Sequence, residues 1–129
     1  MSFLTTTRVA LTAFTAVLAL TAVAAQAADL RVSCEKRASR SKASVDGSNL
    51  AAGSYRAVLM SGSASARSEY QAAVGDEAGF DFDSRPGDIA EGATAIAPDF
   101  IVDGRVKAYL QDARGARATP TVTAICRVR

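Results

Sequence analysis

Both cysteines of the chain sit in stretches where apolar and polar residues alternate one by one. Leu30, Val32 and Cys34 alternate with Arg31, Ser33 and Glu35; Val122, Ala124, Cys126 and Val128 alternate with Thr121, Thr123, Ile125 and Arg127. A period of two marks a half-buried strand, because successive side chains point to opposite faces. The pattern puts both thiols on the inward side of the opening and closing strands. A bridge between them then needs only that the two strands run together or face each other across a core.

Whether the thiols oxidise depends on where the chain goes, and its first 27 residues carry an address. Arg8 is followed by an uncharged stretch from Val9 to Ala25 and then by Ala25-Gln26-Ala27, a small-x-small triplet. Basic start, apolar middle and small-residue cut are the layout of a secretory signal peptide, a helix in the precursor, cleaved after Ala27. Cys34 follows Arg31-Val32-Ser33 rather than a small apolar run, so a lipid-anchored form is disfavoured. The expected product is a free periplasmic or extracellular protein, a single domain over 28–129 closed by a Cys34–Cys126 disulfide.

Further strands are expected between the two ends, each bounded by turn residues. Ser41–Asp46 is weak and ends at an Asp46-Gly47 turn. Ser54–Met60 is strong and forms a hairpin with Ala64–Gln71 through Ser61-Gly62-Ser63. Gly79–Asp83 directs Phe80 and Phe82 inward and Asp81 and Asp83 outward. Ala93–Ala97 and Phe100–Val102 are short pieces split by Pro98. Arg105–Gln111 points Val106, Ala108 and Leu110 inward. At most one helical turn is expected, within Asp88–Ala97 after Pro86-Gly87. About seven to nine short strands predict an all-β fold, a small antiparallel β-sandwich. The stretch Asp46–Ala57, with Leu50 shortly before Gly53-Ser54-Tyr55, resembles the strand–turn–strand segment of many secreted immunoglobulin-like modules. The resemblance implies that Leu50 pins a loop against the core and that the sandwich is immunoglobulin-like; it implies no activity.

Several kinds of chemistry are ruled out by what is missing. The chain has no His and no Trp, which removes the Ser-His-Asp triad, the Cys-His pair, histidine zinc sites and the usual sugar platform. A nucleophilic Ser would have to use Lys36, Lys42 or Lys107 as base, and no motif marks such a pair. With 49% hydrophobic residues and a formal charge of +2, the chain is neither disordered nor strongly basic. A non-catalytic protein with no cofactor and no specific nucleic-acid partner is the expectation.

Charge is segregated along the sequence. Residues 28–68 hold 7 cations and 3 anions, residues 69–103 hold 1 and 9, and residues 104–129 hold 6 and 1. Folding could interleave these segments or expose separate acidic and basic faces that steer a charged partner. The candidate acidic patch is Asp81, Asp83 and Asp88, expected as solvated carboxylates on an edge strand. Asp81-x-Asp83 resembles the start of a calcium loop, but Pro86 stands where a Gly is needed and the distal Glu is missing. The candidate basic patch is Lys36, Arg37, Arg40 and Lys42, expected on a solvated loop and able to touch an anionic surface. The function expected is that of a binding or structural module. The alternative is an accessory or inhibitor protein docking to a partner protein through a charge-segregated face.

Overall fold

The structure, a computed structural model, describes residues 28–129; the expected signal peptide, 1–27, lies outside them. Among the described residues are ten strands in two sheets and one short helix. The first sheet is built on β1 (Asp29–Arg37) and β2 (Arg40–Ser48), paired antiparallel over nine residues. β6 (Ala78–Asp83) adds to the far side of β2, and β7 (Thr94–Ala95) runs parallel to its end. On the near side, β10 (Arg127–Val128) runs parallel to β1. The sheets are therefore not antiparallel throughout, as expected, but carry a parallel pair at each end of the first.

In the second sheet, β3 (Ser54–Ser61) lies between β4 (Ala64–Arg67) and β8 (Arg105–Asp112), with β9 (Val122–Ile125) outside β8 and β5 (Gln71–Ala72) on the end of β3. All these pairs are antiparallel. One core joins the two sheets: Ala43, Val45, Phe80 and Phe82 from the first meet Ala57, Leu59, Val106, Ala108 and Leu110 from the second. Phe80, Phe82, Val106, Ala108 and Leu110 are inward positions that alternation assigned. Leu50 is buried in the same core, and the Tyr55 hydroxyl donates to the Ala51 carbonyl at 2.6 Å, so the loop before β3 is pinned from both sides.

Several local expectations are corrected. Asp46 and Gly47 do not turn the chain; β2 runs through them, and Asn49, at φ +55°, takes the left-handed turn position. Gly47 is needed for close packing instead. A Cβ there would stand 2.5 Å from Leu110 Cδ1 and 3.2 Å from Leu50 Cδ1. Leu110 has no exposed surface and little room to swing away. Gly47→Ala is expected to cost about 1–2 kcal/mol by overpacking, read from the urea midpoint of unfolding; an unchanged midpoint would show that the core yields freely.

The stretch Ala64–Gln71 breaks at Ser68, whose buried hydroxyl accepts from the Ala57 amide at 2.8 Å. The hydroxyl thus takes the place of one ladder carbonyl, while the Ser68 amide still donates to the Ala57 carbonyl at 3.0 Å. Phe100–Val102 is not a strand: Phe100 and Ile101 plug the core from a loop tethered by Ser41, whose Oγ donates to Pro98 O and accepts from Ile101 N. The helix α1 (Pro86–Ala90) opens at the Pro itself, earlier than expected. Finally, the closing strand is two pieces. The chain leaves the second sheet after β9, and after Cys126 it joins the first sheet as β10, so Val128 is exposed rather than inward.

Cys34 and Cys126 are bonded, with Cα atoms 4.6 Å apart. The bridge sits where the chain crosses between the sheets and ties the opening strand to the closing one. An extended loop of sequence separation 92 is closed by it. Such a bond fits an oxidising compartment, periplasmic or extracellular. Among the described residues no helix is long and apolar enough to cross a membrane.

Candidate functional site

Antiparallel pairing places directly opposite residues on one face of a sheet, so the register locates every candidate. On the outer face of the first sheet, Lys42 of β2 lies opposite Asp83 of β6, which makes Arg40 the diagonal neighbour of Asp83. Arg40 uses that position fully. Its Nε donates to Asp83 Oδ1 at 3.0 Å and its Nη2 to Asp83 Oδ2 at 2.6 Å, with Asp88 Oδ2 at 3.2 Å from the same Nη2. The Arg85 amide also donates to Asp83 Oδ1, at 3.0 Å.

The candidate acidic and basic patches therefore meet at Arg40, where their charges pair. Asp83 is on the outer face, as alternation required, yet it is 2% exposed and not a solvated carboxylate. The Arg40 hydrogen bonds hold its carboxyl below the usual carboxylate range, against the opposing effect of burial. Arg40 is raised in turn by the Asp83 hydrogen bonds. Asp88 is shared between Arg40 and, at 3.9 Å, Arg85. Asp81 stays exposed and accepts from the Ser44 hydroxyl at 2.8 Å.

The basic stretch is likewise dispersed and is no loop, since it forms the β1–β2 hairpin. Lys36 Nζ donates to the carbonyls of Arg37 and Pro98, and Arg37 Nε donates to Glu35 Oε1 at 3.0 Å, lowering the Glu35 pKa. Lys42 lines a cleft of about 1110 Å³ along the open edge of β6, with Asp81, Glu91, Glu69 and Arg67 around it. Opposite charges are mixed in that cleft. Among the described residues no group of three His, Cys, Asp or Glu is arranged to hold a metal ion.

No family model, curated protein or solved structure matches this chain.

The other sheet carries an arrangement that reading along the sequence missed. On the outer face of the second sheet, Val58 of β3 is flanked by Arg67 of β4 and Tyr109 of β8. One step along the strands, Met60 lies opposite Lys107, and beyond it Arg105 lies opposite Ile125. In the other direction Arg56 lies opposite Gln111, which in turn bridges to Arg117. The face thus carries Arg56, Arg67, Arg105, Lys107 and Arg117, and no strand position on it is acidic. None of the five is within ion-pair distance of a carboxylate among the described residues.

Val58, on an outward position between Arg67 and Tyr109, is only 2% exposed. Two of the cations are held in place. The Arg56 guanidinium lies 4.8 Å from the Tyr70 ring centroid while its Nε donates to Gln111 Oε1 at 2.7 Å. The Arg117 guanidinium lies 4.2 Å over Tyr109. Such cation–π stacks orient the planar cation and leave its charge exposed. Residues 28–129 carry 14 cations and 13 anions, so a face of +5 leaves −4 on the remainder. The alternating Lys107 and Tyr109 of β8 were readable as outward residues; that Arg56, Arg67 and Arg117 stand beside them depended on strand neighbours.

Proposed function

We propose that this chain is an exported, non-catalytic binding module, an immunoglobulin-like β-sandwich that recruits an anionic partner to the outer face of its second sheet. The observation carrying this reading is the five cations gathered on a sheet face with no acidic strand position, none of them within ion-pair distance of a carboxylate although Arg67 also borders the mixed-charge cleft. Charges that already pair within the protein have little left for a partner, which is the situation of Arg40, Arg37 and Arg129. Unpaired charges on a fixed sheet keep their field and meet a polyanion without first giving up an internal contact. The disulfide supports export, and the two sheets sharing one core support the sandwich.

Immobilised heparin serves as a generic polyanion for the test. Binding is expected to weaken about a hundredfold between roughly 50 and 200 mM salt, as it should when four or five cations displace counterions. The Arg67→Gln/Lys107→Gln double variant is expected to bind at least about tenfold more weakly. Lys36→Gln/Lys42→Gln should stay close to the parent. Loss that follows Lys36 and Lys42 instead would return the site to the hairpin. Salt-insensitive binding would overturn the basic-face reading, since contacts made by exposed cations are screened by salt.

A further inference from the structure

Resting on the basic-face reading, we infer that the anionic partner is a single-stranded polynucleotide, bound without sequence preference. A bare array of ammonium and guanidinium groups takes any polyanion, but this face is more particular. Two of its five cations are guanidiniums piled on phenol rings, Arg117 on Tyr109 and Arg56 on Tyr70. The guanidinium carbon stands over the ring at 4.2 Å for exposed Arg117 and at 4.8 Å for half-buried Arg56, which is further locked by its bond to Gln111. Guanidinium planes and aromatic rings are the surfaces on which unstacked bases settle, while neighbouring cations follow the phosphates.

The same geometry counts against a sugar chain. Carbohydrate rings pack their C–H faces on uncovered aromatic surfaces, and here guanidiniums cover one side of each ring. Arg67, Lys107 and Arg105 extend the positive charge across β4 and β8 beside Tyr109, which is the layout of a stacking platform beside an electrostatic track. The neutral hydrogen-bonding side chains at paired positions beside the cations are Ser65, Gln111 and Thr123, with the Tyr109 and Tyr70 hydroxyls, a short set that gives base edges little to be read by.

The experiment is a fluorescence-anisotropy titration of the disulfide-intact protein with labelled oligothymidylate, with an abasic oligomer of equal length, and with heparin as competitor. Oligothymidylate is expected to bind at least about tenfold more tightly than the abasic strand, since only the former can stack. Arg117→Lys keeps the charge and removes the plane; it should erase most of that difference while leaving abasic binding unchanged. Equal affinity for the two strands, or tighter binding of heparin, would overturn the polynucleotide and leave the basic-face reading standing. Failure to bind any of the three at low salt would end both.

Discussion

Replacing both cysteines, Cys34→Ala/Cys126→Ala, lowers the stability of the protein by about 4 kcal/mol. The size follows from the chain. A bond across a sequence separation of 92 removes, in the loop-entropy model, about 4.6 kcal/mol of freedom from the unfolded state. Two weak elements depend on it as well. β10 has two residues and pairs only with β1, at Glu35 and Lys36, so the crossing from β9 to β10 has little else to hold it. A domain of this size loses roughly 4–8 °C of melting temperature per kcal/mol, so the midpoint should fall by about 20 °C. Thermal unfolding of parent and double variant, with and without reductant, checks this. A fall of only a few degrees would mean that the sheets hold the termini unaided.

Arg40→Met is expected to be nearly as damaging, for an electrostatic reason. It leaves the Asp83 carboxylate, 2% exposed, facing Asp88 without its counter-charge. Breaking a buried pair from one side costs about 3 kcal/mol; protonation of Asp83 can relieve part of this, so the expected loss is about 2–3 kcal/mol. The pH dependence identifies the cause. In the parent, Asp83 has a folded-state pKa below the ordinary carboxylate value, so its contribution is present above that ordinary value and is lost as pH falls through the lower folded one. Without Arg40, burial is opposed by the Arg85 and Ser84 amides alone, so the same pKa moves up and the variant is penalised most at neutral pH. The gap between parent and variant should therefore narrow as pH falls, first through the raised pKa of the variant and then through the lowered pKa of the parent. Urea unfolding along an acid series reads this directly. A gap that stayed constant would assign the loss to packing of the Arg40 stem.

Asp46 acts with the opposite sign. Loss of water around its carboxyl, helped by the nearby Asp81 charge, raises its pKa, so ionising it opposes folding as pH rises. This partly offsets the gain from Asp83 and Glu35 as acid is neutralised.

Alternation located most inward side chains because side-chain direction in a strand is a local property. Phe80, Phe82, Val106, Ala108 and Leu110 required knowledge only of their own segment. The misreadings share one origin. Asp46-Gly47 has turn chemistry, but Leu110, more than sixty residues away, packs on Gly47 and keeps it in β2. Asp83 faces outward as its parity demands, yet Arg40 across the sheet and the turn into α1 remove it from water. Val128 departs from the pattern because the chain changes sheets after Cys126, whereas Ile125 faces outward as its parity required.

The candidate site divides along the same line. Composition excluded histidine chemistry, and the two cysteines had one partner each, so the bridge was legible before any fold was known. Segregated charge was legible too, but not its consequence. A run of cations such as Lys36–Lys42 looks like a patch in one dimension, while the strand ladder spends Arg37 and Arg40 on Glu35 and Asp83. Arg56, Arg67, Arg105, Lys107 and Arg117 look scattered along the chain, and the pairing of β3 with β4 and β8 sets them side by side. Direction along a strand is written in nearest neighbours. Which strands lie next to which is chosen by the burial of the whole core, and only that choice turns separate charges into a face.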